Sequence, residues 1–208
     1  MVGNSSERQH PLPKVEVIKN VSIVEVAYSS IPQPSLYQLH DRLEWNRTRN
    51  SSPKKNFEST YRVDAGDGIT DYAGVFSFSR TKDHPASKRI DLVDSFGNEV
   101  VGRGTAWLID GVANFENMPF VAYTTTSLEH LRQGLGMRRL QLLNALCLDL
   151  WSQVLRSSDS IRPEARGVWE KLCQMGLAEV WRDDANGKSV YRFKNEQGLA
   201  SSIPQHRF

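Results

Sequence analysis

Cysteine is scarce in this chain: Cys147 and Cys173 are the only two in 208 residues. Both fall inside apolar runs with helical spacing, so they read as buried free thiols of a reducing compartment, with no disulfide framework and no zinc site. No uninterrupted apolar run approaches the length of a membrane span, and the opening MVGNSSERQHPLPK lacks the apolar core of a secretion signal. The expectation is a cytoplasmic protein with no membrane partner. An excess of one charge is also missing. The 26 Lys and Arg against 24 Asp and Glu leave +2, too balanced to argue for a nucleic-acid partner. The histidines, at 10, 40, 84, 130 and 206, have no metal-ligand spacing, so no metal is expected. What remains is 39% hydrophobic and 24% charged, an ordinary globular composition long enough for one generous core.

Along the chain, residues 1–13 are polar with two prolines and read as a mobile tail. VEVIKNVSIVEVAY (15–28) is expected to be strand, and PQPSLYQLHDRLEW (32–45) a helix with Ser35 as its cap. NRTRNSSPKKN (46–56) is a basic loop, and strands are expected at 59–63 and 71–79. From residue 88 three or four strands follow, with turns at DSFGN and DGVAN. A helix from Met137 to about Val154, a short segment VLRSSD, a helix from Pro163 to Met175 and a hairpin around Asn186-Gly187 complete the order. The whole reads as one α+β domain over 14–194, a mixed and mainly antiparallel central sheet flanked by helices, with a tail at 195–208.

The helix from Met137 is apolar almost all round, so it belongs against a sheet. Directly before it lies SLEHLRQGLGMRRLQLL (127–143). A helix start leaves its first backbone N–H groups without partners and carries partial positive charge. Gly134 and Gly136 remove the side chains that would keep a ligand off those amides, a geometry that suits a pyrophosphate. Arg132, Arg138 and Arg139 are placed to add charge-assisted contacts. A plain turn before a core helix explains the same glycines. Two known phosphate motifs do not apply: Arg139 stands where a dinucleotide fingerprint needs its third glycine, and no Gly-Lys-Ser/Thr follows.

Two motifs at matching spacing resemble the GNAT superfamily of N-acetyltransferases. LRQGLG fits the family's acetyl-CoA turn at Gly134 and Gly136, with Leu131 in place of its usual Arg or Gln. RPEARGVWEKLCQMGLAEVW resembles its later helix and strand through Ala165, Glu170, Lys171 and Leu172, with Trp169 where a tyrosine is usual. The likeness spans roughly 88–193, the acetyl-CoA half, and SSDSIRPEARGVWEKL has a flavour of phage-encoded members.

The resemblance implies acetyl-CoA as cosubstrate. Its pyrophosphate would sit on the amides of Gln133, Gly134, Leu135, Gly136 and Met137, with Arg132 and Arg138 beside it. A splayed strand at Thr124, Thr125 and Thr126 would pair with the pantetheine arm, and one of those amides would stabilise the oxyanion. Trp169 would wall the thiol end. The reaction implied is acetyl transfer to a primary amine, whether a protein lysine, an N-terminus or a small amine. Glu129 is the preferred general base, with His130 as its rival, and Tyr123 or a water is the acid, unless the thiolate leaves unassisted. Asp64, Asp67, Asp71, Asp183 and Asp184 are expected to attract a cationic amine, whereas Asp91, Asp94, Asp110 and Glu116 read as solvated turn residues. A homodimer is compatible with the family. The alternatives are a GNAT fold that binds without catalysing, and a winged-helix DNA-binding module at 160–193 carrying Arg162, Arg166, Lys171, Arg182 and Lys188.

Overall fold

In a computed structural model, residues 17–44, 55–110, 118–182, 187 and 189–195 are described. Six strands form an antiparallel meander in chain order: β1 (Ser22–Glu25), β2 (Lys55–Asp64), β3 (Thr70–Phe78), β4 (Ser87–Phe96), β5 (Glu99–Ile109) and β6 (Phe120–Thr126). Helix α1 (Gln33–Glu44) lies on one face, against β3, β4 and β5; α2 (Leu135–Trp151) lies on the other, against β4, β5 and β6. Helix α3 (Pro163–Gln174) packs on α2 and on β7 (Ala178–Arg182), which forms a hairpin with β8 (Ser189–Phe193). Residue Arg156 bridges the two sheets, pairing parallel with Phe120 of β6 and antiparallel with Arg192 of β8. The hairpin, which the winged-helix alternative makes a DNA-binding wing, is bridged to the main sheet through Arg156. No helix among the described residues is long and apolar enough to cross a membrane. The fold class is α+β, as expected from the sequence.

Two expectations about the first half change. Over the described part, 17–28, only Ser22–Glu25 is strand, and a 3-10 turn occupies Tyr28–Ser30. Ser35 lies inside α1 instead of capping it, and its buried hydroxyl meets that of Ser95 on β4 at 2.5 Å. The 1–13 tail, the loop residues 46–54, the DGVAN turn, Asp183, Asp184 and Glu116 fall outside the described residues, as does the 195–208 tail beyond Asn195.

The largest correction concerns charge. Asp71, Asp91 and Asp94 are buried, neither solvated nor open to an amine. Asp71 and Asp94 stand directly opposite each other on β3 and β4, on the face that α2 covers. The first turns of α2 deliver two fully buried arginines to them. Arg138 donates to both Asp71 oxygens at 2.8 and 2.7 Å, to Asp67 at 2.6 and 3.0 Å, and to the Ile69 carbonyl. Arg139 pairs with Asp94 and reaches Thr126 Oγ1 at 3.3 Å. Room for Arg139 comes from glycines on β5. A Cβ at Gly102 would overlap its guanidinium, and one at Gly104 would lie 2.7 Å from its Cδ. Other polar positions of α2 serve docking: Gln141 Oε1 accepts the Ile18 N–H at 3.0 Å and Asn144 Oδ1 accepts the Leu155 N–H at 2.9 Å.

Three carboxylates, of Asp67, Asp71 and Asp94, face two guanidiniums in this cluster. Burial first, then the neighbouring Asp94 charge, push the Asp71 carboxyl well above its ordinary value of 3.8. A raised folded-state value means that the native protein binds a proton the unfolded chain releases. Stability from this source is present at low pH and is lost as pH climbs from the ordinary value through the raised one. Urea unfolding at a series of pH values should therefore show wild-type stability falling over that window relative to Asp71→Asn, whose amide carries no such proton. A constant difference between the two proteins would contradict it.

Candidate functional site

Strand β6 is paired on one edge throughout but on the other only at its start. Ser127 N–H donates to Val101 O, so residues 123, 125 and 127 direct their backbone groups to β5. By alternation, Thr124 and Thr126 turn theirs to the opposite, open edge. Val121 N–H donates to Arg156 O at 3.0 Å and Arg156 N–H to Pro119 O at 2.9 Å. That phase cannot continue to Thr124 without an extra residue, and Ala122 is that residue: Thr105 faces Tyr123 while Ala106 faces Val121. Such a bulge bends the strand and re-aims its amides. Beyond Arg156 the neighbouring chain belongs to β8, since Ser157 N–H donates to Tyr191 O and Phe193 N–H to Leu155 O. Past Val121, β6 and the 155–157 segment therefore part.

The gap between them holds a cavity of about 190 Å³, lined among others by Ala122, Tyr123, Thr124, Ser157, Arg162 and Trp169. Trp169 is 2% exposed, stacked on Tyr191 with ring centroids 6.1 Å apart and set edge-on to Phe193 at 5.4 Å. It belongs to the core and presents one side to the cavity. Of the sequence candidates, Tyr123, Thr124 and Trp169 meet here. Thr125 and Thr126 lie further along β6, toward the glycine turn.

That turn is a helix start two residues earlier than the sequence spacing suggests. Gly134 caps α2 at φ 84°, a left-handed conformation that disfavours any side chain, and no side chain caps the helix. The first bond within the helix start is from Arg138 N–H to Gly134 O at 3.1 Å. Among the described residues nothing bonds the amides of Leu135, Gly136 and Met137. Leu135 and Met137 are buried as whole residues, and Gly136 between them is half-buried. At Gly136 an added Cβ would meet only Val168 Cγ2, at 3.9 Å. Internal packing does not demand a glycine there.

Two expected contributors are elsewhere. Arg138, assigned to phosphate, points inward and is saturated by Asp67 and Asp71, as is Arg139 by Asp94. Arg132, at φ 65°, is exposed and makes no ion pair among the described residues. Glu129 does not line the cavity. It sits in the 3-10 turn Leu128–His130, and the five residues from Ala122 to Thr126 alone span about 13 Å of strand. There it gathers with Glu99 and His130, ligand atoms within 4.8 Å of one another, a metal-capable grouping that linear histidine spacing does not reveal. His130 is buried and shares a 2.8 Å hydrogen bond with Ser127. If the chain transfers an acyl group as the resemblance implies, Glu129→Gln is expected to leave turnover within about twofold of wild type, as for a surface change outside the cavity. A tenfold loss with intact cosubstrate affinity would restore Glu129 as the base.

No family model matches the chain, and no curated protein matches it. Among solved structures, a Bacillus anthracis strain Ames chain, provisionally named a streptothricin acetyltransferase and solved with acetyl coenzyme A, is similar at 12% identity. The match covers 85% of this chain and 97% of that one, with a TM-score of 0.34.

Proposed function

We propose that this protein is an acyltransferase of the GNAT kind, moving an acetyl group from acetyl-CoA to a primary amine. One observation carries the reading: β6 parts from the 155–157 segment beside α3, whose Ala165 and Trp169 line the gap and whose Val168 Cγ2 lies 3.9 Å from a Cβ placed at Gly136 of α2. A thin tether ending in a diphosphate matches that sequence of features. The open backbone edges of Thr124 and Thr126 offer it strand-like hydrogen bonds, as buried backbone groups require. The amides of Leu135, Gly136 and Met137 offer the diphosphate a helix start, with Arg132 adjacent in solvent. When bound, acetyl-CoA supplies an acyl group activated as a thioester.

The chain's own residues then have distinct tasks. The re-aimed backbone around Ala122 is placed to donate to a carbonyl oxygen as it gains negative charge. Trp169 and its aromatic neighbours exclude water from one wall. Tyr123, whose side chain is 39% exposed at the cavity, is the candidate donor of a proton to the departing thiolate. Neither a carboxylate nor an imidazole lines the cavity among the described residues, so the amine gives its proton to water. Titration calorimetry with acetyl-CoA, followed by a thiol-release assay over a panel of amines, tests the reading. Saturable binding with amine-dependent thiol release is expected. Absence of binding would overturn it; binding without release from any amine would leave only the non-catalytic relative of this fold.

A further inference from the structure

The side of the sheet away from α2 carries an arginine whose surroundings differ from those of its counterparts. Each other arginine that is buried or half-buried among the described residues has a carboxylate. Arg89 pairs with Asp91, Arg138 with Asp67 and Asp71, Arg139 with Asp94, Arg156 with Asp159 and Arg192 with Glu179. Half-buried Arg103 pairs with none among the described residues. It is held all the same. Its Nη1 donates to Gln38 Oε1 of α1 at 2.9 Å, and its guanidinium carbon lies 5.7 Å from the centroid of the Tyr123 ring.

Position gives this meaning. Gly102 and Gly104 face Arg139 of α2, so the alternating Arg103 and Thr105 face the other way, toward α1. Tyr123 is opposite Thr105, and therefore shares that face and reaches the cavity beside the bulge. Arg103 is thus fixed within one small molecule of the place where the acyl group would be transferred. A guanidinium has five donors in a rigid fork that matches a carboxylate, and only one of them is committed to Gln38. Among the described residues, the aspartates named for a cationic acceptor have partners: Asp71 and Asp67 hold Arg138, and Asp64 lies 3.5 Å from Arg62.

We propose that Arg103, positioned by Gln38 and Tyr123, binds the carboxylate of the acceptor, so that the acceptor class is amino acids. The proposal rests on the acyl-transfer reading above. In the step itself the amine nitrogen forms a C–N bond to the acyl carbon and the C–S bond breaks. The amine proton passes to water and the thiolate takes up a proton, giving an N-acyl amino acid and free thiol.

The test uses the full chain, acetyl-CoA and matched pairs of acceptors: amino acids, and the amines left when their carboxylate is removed. The amino acid of each pair should have at least tenfold higher kcat/KM. Arg103→Gln should raise the KM for amino acids by about ten- to a hundredfold, as expected for losing a charge-assisted, bidentate contact, and collapse the preference within each pair. Acetyl-CoA affinity by calorimetry should stay within twofold, which also certifies that the variant is folded. Arg103→Lys should recover part of the affinity but little of the bidentate preference. Equal use of both members of each pair by wild type would overturn the proposal while leaving acyl transfer standing. A fall in acetyl-CoA affinity in Arg103→Gln would also overturn it, by moving Arg103 to the nucleotide. No acetyl-CoA binding by wild type would remove both.

Discussion

Gly136→Asp should abolish acetyl-CoA binding while leaving the protein as stable as before, or slightly more so. The two effects have opposite electrostatic origins. The site's attraction for a diphosphate comes from bare amides and the positive end of α2. A carboxylate at 136 satisfies the same groups from within, so it competes with the ligand and repels it. Calorimetry should show at least a hundredfold weaker binding, equivalent to about 2.7 kcal/mol. For the fold, the substitution has space, because a Cβ there meets only Val168 at 3.9 Å. An acid in the first turn adds about 0.3–1 kcal/mol of favourable dipole interaction, and glycine is the poorer helix former. Thermal unfolding should therefore be unchanged or shifted upward. Unaltered acetyl-CoA affinity would mean that the turn is only a turn.

Arg139→Met should be the most damaging single change to the fold. Arg139 and Asp94 are both fully buried, and removing the guanidinium strands Asp94 opposite Asp71 beneath α2. Breaking a buried pair from one side costs about 3–5 kcal/mol. With about 2–4 °C per kcal/mol for a chain of this size, the melting temperature should fall by roughly 6–20 °C. Since the penalty is an uncompensated charge, Arg139→Met combined with Asp94→Leu should recover most of it, a non-additivity that a double-mutant cycle would measure. Arg132→Met, on an exposed neighbour in the same sequence stretch, should change stability by less than about 0.5 kcal/mol. Similar melting of the two single variants would refute the ion cluster as a structural keystone.

The arginines around the glycine turn illustrate what could be read in advance. In one dimension Arg132, Arg138 and Arg139 look alike, three cations beside a phosphate-ready turn. Only the cross-strand register that sets Asp71 against Asp94 turns two of them inward, and register depends on β3 and β4 meeting across a loop. The accommodating glycines were visible in VGRGTAW, but as strand glycines without a stated reason. Glu129 was legible as an acid after a strand; its separation from the bulge required the path of β6. Conversely the helical spacing of Trp169 and Leu172 was legible in one dimension, and both are buried on α3.

By itself the sequence determined the local elements that hydrogen-bond within a few residues of each other: α2 behind its glycine cap, α3 behind Pro163, the closing hairpin and the α+β order. It also placed Gly134 and Gly136 in the turn before α2, where a plain turn and an anion cradle read alike. The tertiary structure alone decided which charges are buried partners and which are left to meet a ligand. It also opened β6 at Ala122 and brought Arg103 of β5 to Gln38 of α1, 65 residues apart in sequence. The physical reason is range. Helix and turn preferences act between near neighbours, whereas burial, register and ion pairing take their values from groups that only the folded chain brings together.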